Sequence, residues 1–344
     1  MIKTAIVGAG LIGRKRAESL VSCGQGGWLA AVCDADPGRA AVLATATGSI
    51  AYNDWQKVLD IPGLEVVIAA APNKVNVEIA AAALERGCHV LCEKPLGRNA
   101  GEAERLNRAA ASRNKILKTG FNHRHHPALR KARTLVEAGG LGPLYHVRGM
   151  YGHGGRPGYE NEWRADPELA GGGVLLDQGV HIVDLSRWFL GEIREVYGQI
   201  RTAHWPMTVE DNASMILRAD GGRTASLEVS WTQWKNKFQF EIFGEKGYLL
   251  IDGLGGSYGR EKLVYGTRRA DPERPGWYLG GAPDEKVDEF LGPDISWDEE
   301  WKEFTGAILE GREPLGSWRD GLHAARIIDA VYRSARLNAP VPIE

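Results

Sequence analysis

The chain has 344 residues, of which 25% are charged, and its formal net charge at neutral pH is −2. That length accommodates two domains with separate hydrophobic cores. The balanced charge gives no sign of a nucleic-acid or membrane partner, and no apolar run approaches the roughly 18 residues of a membrane span.

The cysteines indicate the compartment. All four, Cys23, Cys33, Cys88 and Cys92, lie on or beside predicted core elements. This placement favours buried, reduced thiols. The N-terminus begins a strand almost at once, without the charged leader and apolar core of a signal peptide. We therefore expect a cytoplasmic protein.

Strand and helix patterns alternate up to about residue 120, which predicts a parallel sheet covered on both faces. The predicted strands are Thr4–Val7, Leu29–Cys33, Ile50–Tyr52, Val66–Ala70, His89–Cys92 and Ile116–Thr119. The predicted helices are Leu11–Val21, Pro37–Thr45, Val75–Arg86 and Glu102–Ser112.

The rhythm changes after residue 121, and most later strands alternate apolar and polar residues, as in an antiparallel sheet with one covered face. We therefore expect an α/β protein with a Rossmann domain at 1–121 and a second α/β domain, with an open, mostly antiparallel sheet, at 122–344. Residues 253–296 are rich in Gly, Pro, Asp and Arg and predict a long excursion that shapes a pocket or an interface. Strands are predicted at Leu144–Tyr151, Ile193–Thr202, Ser214–Leu217, Thr224–Trp231, Phe238–Phe243 and Tyr248–Ile251, and helices at Ala128–Ala138, Val174–Leu190, Trp297–Glu310 and Gly321–Leu337.

A glycine pattern typical of dinucleotide-binding turns lies between the first strand and the first helix. It is G-x-G-x-x-G at Gly8, Gly10 and Gly13. Asp34 ends the second strand, where a carboxylate can hold the adenosine ribose and repel a 2′-phosphate. These residues predict NAD as the cofactor, while Arg14 and Arg39 leave NADP open.

Lys94 follows the strand His89–Cys92 in the string VLCEKPLG, at the end of the sheet where ligands bind. Pro95 restricts the residues before it to an extended backbone geometry. An ammonium beside a nicotinamide ring can polarise a hydroxyl or carbonyl group, which predicts a catalytic role for Lys94. The alternative is that Lys94 is an ordinary lysine on a surface loop. The expected cofactor contacts are Gly8, Gly10, Leu11, Ile12, Gly13, Asp34, Ala71, Pro72, Asn73, Glu93, Lys94 and Asn122. For Asn73, a helix-capping role is the alternative.

The predicted helix Val174–Leu190 carries Asp177, His181 and Asp184 at positions i, i+4 and i+7, on one stripe. Its other residues are mostly apolar, so this polar stripe lies on a largely buried helix. Histidine exchanges protons near neutral pH, and a carboxylate one turn earlier can orient it. The alternative is an ordinary amphipathic helix.

The segment FNHRHHP contains His123, His125 and His126. Their spacing lacks the helical i, i+4 pair, or the accompanying cysteines and carboxylates, of a metal site. We therefore expect no metal, and we regard Asn122 and Arg124 as better ligand candidates.

The glycine pattern, Glu93-Lys94-Pro95 and Asp177-x-x-x-His181 occur in an order that resembles the glucose-fructose oxidoreductase / inositol dehydrogenase / MocA family. The resemblance extends over nearly the whole chain and includes Trp163-Arg164 and Gly171–Gly173. It implies Lys94, Asp177 and His181 as the catalytic residues, and a homodimer or homotetramer formed through the second sheet. Asn76 departs from the histidine that members often have near this position.

These observations together predict an NAD-dependent dehydrogenase for a secondary alcohol of a sugar, sugar derivative or cyclitol. His181 would take the hydroxyl proton, Lys94 would stabilise the developing alkoxide, and Asp177 would orient His181 or bind a neighbouring hydroxyl. A redox-neutral NAD-dependent glycosidase and a non-catalytic sensor of NAD or sugar are the alternatives. The expected substrate contacts are Arg124, Tyr151, His153, Arg164, Asp177, His181, Trp234 and Lys235.

Overall fold

A computed structural model describes residues 1–24, 27–274, 276–277, 279–281 and 283–343. The first part of the chain forms a six-stranded sheet in the order β3-β2-β1-β4-β5-β6, in which every pair is parallel. This confirms the predicted parallel sheet. Its elements are β1 (Ile2–Val7), α1 (Leu11–Ser22), β2 (Gly27–Cys33), α2 (Pro37–Thr47), β3 (Ile50–Tyr52), α3 (Trp55–Val58), β4 (Val66–Ala69), α4 (Asn73–Glu85), β5 (His89–Glu93), α5 (Ala100–Ser112) and β6 (Leu117–Gly120).

The central strands of this sheet are apolar on both faces because helices cover both sides. All four residues of β4, with the sequence VVIA, are buried. The strand order reverses between β1 and β4. In an open parallel sheet, ligands bind outside the carboxyl ends of the strands at this reversal.

The second sheet has nine strands in the order β14-β13-β12-β11-β7-β10-β9-β8-β15. Among the described strand pairs only β7 and β10 are parallel, which confirms the predicted mostly antiparallel sheet. The elements after residue 121 are α6 (Pro127–Glu137), β7 (Leu144–Gly152), α7 (Pro167–Ala170), a π-helical turn (Leu175–Gly179), α8 (Val180–Leu190), β8 (Ile193–Arg201), β9 (Asn212–Ala219), β10 (Thr224–Ser230), β11 (Lys237–Gly244), β12 (Gly247–Asp252), β13 (Glu261–Thr267), β14 (Glu285–Phe290), α9 (Ser296–Glu310), α10 (Trp318–Leu337) and β15 (Val341–Pro342).

The structure adds detail to two sequence predictions about these later elements. The excursion 253–296 contains β13 and β14, which extend the edge of the second sheet. Pro275, Tyr278 and Ala282 of this excursion lie outside the described residues. The predicted helix Val174–Leu190 is helical over its whole length, but Leu175–Gly179 within it form a π-helical turn, and the regular helix α8 follows.

The last two long helices contact the first part of the chain again. In α9, Trp301 and Phe304 pack in one core cluster with β1 and β2. Residues of α10 belong both to the core of the second sheet and to a cluster beneath the first sheet. Within the described part of the chain, no helix is long and apolar enough to span a membrane.

Candidate active site

The glycine turn after β1 requires glycine at two positions for steric reasons. Gly8 has φ of +107°, and a Cβ atom there would lie 2.3 Å from the Ala70 carbonyl oxygen. A Cβ atom on Gly13 would lie 1.7 Å from the Gly8 carbonyl oxygen. A Cβ atom on Gly10, in contrast, would have no neighbour within 4 Å, so this side of the turn is open.

Helix α1 begins at the open side of this turn. Its N-terminus has no side-chain cap and no acidic residue in the first turn, which leaves its amides available to an anion. Leu11 is exposed and Ile12 is half-buried beside them. The turn therefore fits the diphosphate of a dinucleotide.

Asp34 lies at the carboxyl end of β2, and three residues donate hydrogen bonds to its carboxylate. Its Oδ2 accepts from the Ala9 amide at 2.8 Å, and its Oδ1 accepts from the Asp36 amide at 2.9 Å and from Arg39 Nη2 at 2.8 Å. Burial opposes ionisation, but these hydrogen bonds outweigh it and lower the pKa of Asp34. Arg39 remains half exposed, so the predicted ribose site contains a carboxylate with a cation beside it.

The loop after β4, which is part of the edge of the predicted cofactor crevice, is stabilised by a hydrogen bond between its own residues. The Ala71 amide donates to Asn76 Oδ1 at 2.7 Å, next to half-buried Pro72. Asn73 is the first residue of α4, and its Nδ2 donates to the Ala170 carbonyl at 2.8 Å. The side-chain amide of Asn73 therefore joins the two parts of the chain. The alternative prediction, that Asn73 caps α4, is wrong.

Two of the predicted cofactor contacts have side chains occupied elsewhere. The Glu93 carboxylate is buried against Arg16, with a distance of 2.6 Å, contrary to the predicted place in the crevice. Asn122 is also buried, and its Nδ2 donates to Ser296 Oγ at 3.1 Å. The side chains of consecutive strand residues point to opposite faces, which explains why Glu93 enters the core while Lys94 enters the crevice.

Lys94 and Asp177 meet between the two parts of the chain. Lys94 Nζ donates to the Asp177 carbonyl at 2.6 Å and to the Asp177 Oδ1 at 2.7 Å. Arg164 Nε lies 3.6 Å from Asp177 Oδ2. Burial raises the pKa of Asp177, but Lys94 and then Arg164 outweigh this and lower it, so the carboxylate is ionised.

His181 is buried in the same region but makes different contacts from those predicted. Its ring stacks on His123, with centroids 3.7 Å apart, and its Nδ1 has no hydrogen-bond partner among the described residues. Burial, with smaller contributions from Lys94 and His126, lowers the pKa of His181 well below the ordinary value, so the imidazole is neutral. The Asp177 carboxylate bonds to Lys94 instead of orienting His181.

Arg164, His153 and Tyr151 lie around this group. His153 is partly buried, its Nδ1 accepts from the Gly155 amide at 2.9 Å, and burial lowers its pKa. Tyr151 is buried with its ring 5.2 Å from that of His123 and 6.0 Å from that of His181. Tyr151 therefore belongs to the buried group of aromatic rings that packs against His181 and His123.

Arg124 is not available to a substrate. It is buried and donates to both carboxylate oxygens of Asp184, at 2.7 Å and 2.6 Å, and it also pairs with Asp320. Its predicted role in substrate binding is wrong, because two carboxylates already occupy the guanidinium in the core. The carboxylate of Asp184 is therefore used in this ion pair, although the residue shares a stripe of the helix with Asp177 and His181.

Trp234 and Lys235 lie at the surface. Trp234 is 64% exposed with a left-handed φ of +55°, and its ring stands edge-on to His204 at 4.7 Å. The preceding residue, Gln233, donates its amide to the His153 carbonyl at 3.2 Å. Trp234 is thus an exposed residue beside the His153 segment and not part of the core.

The sequence predictions missed two residues of the site. Tyr258, in the excursion, accepts from Gln178 Nε2 at 3.0 Å, and its ring lies 5.0 Å from that of Tyr151. His123, which the sequence singles out only through the spacing of three histidines, stacks on His181. Among the described residues, no group of His, Cys, Asp and Glu is arranged to hold a metal ion.

Comparisons with known proteins agree along the length of the chain. Residues 2–121 match an oxidoreductase family with an NAD-binding Rossmann fold, and residues 129–250 match the GFO/IDH/MocA C-terminal domain. Levoglucosan dehydrogenase of Pseudarthrobacter phenanthrenivorans is 28% identical over 99% of this chain and 98% of that protein. Inositol 2-dehydrogenase of Rubrobacter xylanophilus is 28% identical over 100% of this chain and 93% of that protein. The structure of a levoglucosan dehydrogenase in complex with NADH and L-sorbose superposes with a TM-score of 0.86 at 26% identity, covering 100% of this chain and 99% of that one.

Proposed function

We propose, since this chain belongs to the GFO/IDH/MocA family of oxidoreductases, that it is an NAD-dependent dehydrogenase for a secondary alcohol of a sugar, sugar derivative or cyclitol. Family membership makes the chain an oxidoreductase with an NAD-binding Rossmann domain that acts on CH–OH groups. The observation that carries the proposal is the meeting of Lys94 with an ionised Asp177 at the strand ends, near a neutral, buried His181.

The first part of the chain, residues 1–121, fits the cofactor. The open face of Gly10 and the uncapped start of α1 suit a diphosphate, while Asp34 suits the ribose hydroxyl groups. Lys94, at the end of β5, would lie beside the nicotinamide. Bound NAD supplies the acceptor for the hydride that leaves the carbinol carbon.

The residues of the chain handle the proton and the developing charge. His181 takes the hydroxyl proton, since a neutral imidazole is already in the form that a general base needs. Lys94 stabilises the oxygen as negative charge develops on it. Asp177 holds Lys94 and can accept a hydrogen bond from a neighbouring hydroxyl. General-base catalysis of this kind typically contributes about 10²–10⁴ in rate.

The second part of the chain, residues 122–344, would bind the substrate. Polar groups close to Asp177 come from Arg164 and His153, and Tyr258 adds a phenol from the excursion. Trp234 and Lys235 would contact a substrate group that projects from the site. Relatives named for levoglucosan and inositol support a cyclic polyol as the substrate class.

We also propose that the open face of the second sheet joins subunits into a homodimer or homotetramer. Ile216 on β9 is 51% exposed, and Tyr197 on the neighbouring β8 is partly exposed. Polar residues such as Ser214 and Glu228 surround these apolar ones on the same face, and exposed apolar residues with a polar rim are typical of an interface between protein chains.

The test is a screen of the purified chain with NAD and NADP against sugars, cyclitols, amino sugars and nucleotide sugars, followed by NADH or NADPH absorbance. Lys94→Ala and His181→Ala should each lower the rate by about 10² or more. Lys286→Ala, which removes an exposed lysine on β14, is the control and should match the wild type.

Other outcomes of this screen distinguish the alternatives. Release of an aglycone without net NADH would support the redox-neutral glycosidase. NAD binding without turnover of any substrate, and a Lys94→Ala variant that keeps every cellular function, would support the sensor.

A further inference from the structure

The backbone that carries Asp177 begins with an unusual turn. After Gly171–Gly173 the chain forms the π-helical turn Leu175–Gly179, and only then the regular helix α8. Turns of this type are rare and occur frequently at functional sites. Here the turn presents both the carbonyl and the carboxylate of Asp177 to Lys94 Nζ, at 2.6 Å and 2.7 Å.

One buried carboxylate anchors the start of this turn. Glu210 Oε1 accepts from the Gly173 amide and from the Leu175 amide, both at 3.0 Å. The Glu210 main-chain carbonyl accepts from the Val174 amide at 2.9 Å. Three consecutive amides are therefore held by a single residue, which lies just before β9.

Tyr332 on α10 holds Glu210 in turn. Its hydroxyl donates to Glu210 Oε1 at 2.8 Å. The glycines allow the close approach: a Cβ atom on Gly173 would lie 2.0 Å from the Glu210 carbonyl oxygen, and one on Gly172 would lie 2.2 Å from the Tyr332 hydroxyl oxygen. This clamp, which consists of Glu210 and Tyr332, thus explains Gly172 and Gly173.

We propose that Glu210, supported by Tyr332, is the positioning residue that sets Asp177 for its double contact with Lys94. Asp177 lies two residues beyond the last clamped amide. If the clamp is weakened, the wide turn can relax toward an ordinary α-helix, which changes the backbone register by one residue and turns the following side chains. Lys94 then loses one of its two contacts with Asp177. The proposal rests on the catalytic role given above to Lys94.

The test uses Tyr332→Phe and Glu210→Gln in the full chain. The matched control is Asp329→Asn, which lies one turn before Tyr332 on α10. Asp329 Oδ2 accepts from the Ala100 amide at 2.9 Å, and Ala100 begins α5, which carries none of the proposed site residues. The control therefore removes charge from a similar carboxylate-to-amide contact on the same helix, one in which neither Glu210 nor Lys94 takes part.

The first measurement needs neither cofactor nor substrate. The chain is treated with trace acetic anhydride, and mass spectrometry gives the acetylation of Lys94 relative to Lys74, a more exposed lysine on α4. We expect several-fold faster labelling of Lys94 in Tyr332→Phe and Glu210→Gln, and wild-type labelling in Asp329→Asn. Unchanged labelling of Lys94 in a folded Tyr332→Phe variant would overturn the proposal, even if Glu210→Gln does not fold.

The second measurement is turnover. Both clamp variants should lower kcat by about tenfold to a hundredfold with little change in the Kd for NAD, since small misplacements of catalytic groups are costly. Faster labelling with unchanged kcat would overturn the catalytic part of the proposal and leave Glu210 as a structural cap. If the wild-type chain oxidises no polyol but the labelling result holds, the proposed function fails while the positioning of Asp177 stands.

Discussion

His123 and His181 lie face to face, with ring centroids 3.7 Å apart and an angle of 18° between the ring planes. His123 Nδ1 lies 3.2 Å from Asn122 Oδ1. Asn122 in turn donates to Ser296 Oγ, which donates to Asp294 Oδ1 at 2.6 Å. This chain of hydrogen bonds ends on a carboxylate, so it favours the proton on His123 Nδ1 and fixes the ring on which His181 rests.

The stack predicts a difference between two substitutions of His123. His123→Ala removes the support of the His181 ring and should lower kcat by about tenfold or more, because a misplaced catalytic group loses much of its effect. His123→Phe keeps an aromatic face and should retain most of the wild-type kcat. Equal losses in the two variants, measured under saturating NAD, would show that the imidazole nitrogens matter more than the stack.

The burial of His181 predicts the pH dependence of the reaction. Its pKa lies well below the ordinary value because of burial, with smaller contributions from Lys94 and His126. The titratable groups around it also include His123 and Tyr151, and His126 itself lies against the Glu261 and Asp294 carboxylates. A group with a lowered pKa becomes protonated only at lower pH. The kcat/KM profile should therefore show no loss between pH 8 and about 6.5, the ordinary histidine pKa. A loss centred at or above that pH would contradict this reading of His181.

Much of the fold could be predicted because its signals are local. Near-continuous apolar runs such as β4 can be buried on both faces only in a covered parallel sheet, and the order of glycine turn, acidic residue and Lys94 identifies the carboxyl ends of the strands. The strands β13 and β14 were missed because glycines, prolines and charges surround them, and because β14 is an edge strand with mostly exposed side chains.

The errors at the site arose where distant contacts override local periodicity. The i, i+4 spacing predicts a contact between Asp177 and His181, but the π-helical turn and Lys94 direct Asp177 elsewhere. Arg124 has the chemistry of a ligand-binding residue, yet Asp184 and Asp320 come from far along the chain to neutralise it in the core. Such pairings leave no pattern in the sequence near Arg124.

The histidines predict loss of stability in mild acid. Burial, followed by the charge of Lys115, lowers the pKa of His89 to about 4, and burial also lowers those of His123, His125 and His181. A histidine with a lowered pKa binds its proton more readily in the unfolded chain, so stability is lost as the pH falls below about 6.5. The melting temperature should therefore decrease from pH 7 to pH 5.

The lowered pKa of Asp177 acts in a different pH range from that of the histidines, and it affects stability only below about pH 3.8.

His89 offers a test of the histidine contribution to stability. Its Nδ1 accepts from the Ile116 amide at 3.0 Å, a contact that glutamine can reproduce without titrating. His89→Gln should accordingly reduce the loss of melting temperature between pH 7 and pH 5. A melting temperature that rises over the same acidification would be the wrong sign for this explanation.

The buried ion pairs around Arg16 predict a large stability effect. Arg16 lies 2.6 Å from both Glu93 and Glu300, and all three side chains are buried. Arg16→Met leaves Glu93 without its paired cation and leaves Glu300 with Lys118, 3.4 Å away, so it should cost about 3–5 kcal/mol of unfolding free energy. The control is Arg86→Ala, which breaks an exposed pair with Asp60 at the same 2.6 Å and should cost about 1 kcal/mol or less. Urea unfolding measures both; similar losses would mean that burial does not set the strength of the Arg16 pairs.

The ribose site predicts how cofactor choice can be reversed. Asp34 is ionised and faces the position expected for the ribose, so NAD should be preferred to NADP in the wild-type chain. Arg39 already lies against Asp34 and is half exposed, so it can serve a 2′-phosphate once the carboxylate is gone. In Asp34→Ser, kcat/KM for NADP relative to NAD should rise by about 10- to 100-fold, which corresponds to a charge-assisted hydrogen bond of about 1.5–3 kcal/mol. Adding Arg39→Ala should remove most of that gain. If the double variant keeps the gain, the repulsion by Asp34 alone determines the choice, and Arg39 serves only to hold the carboxylate in place.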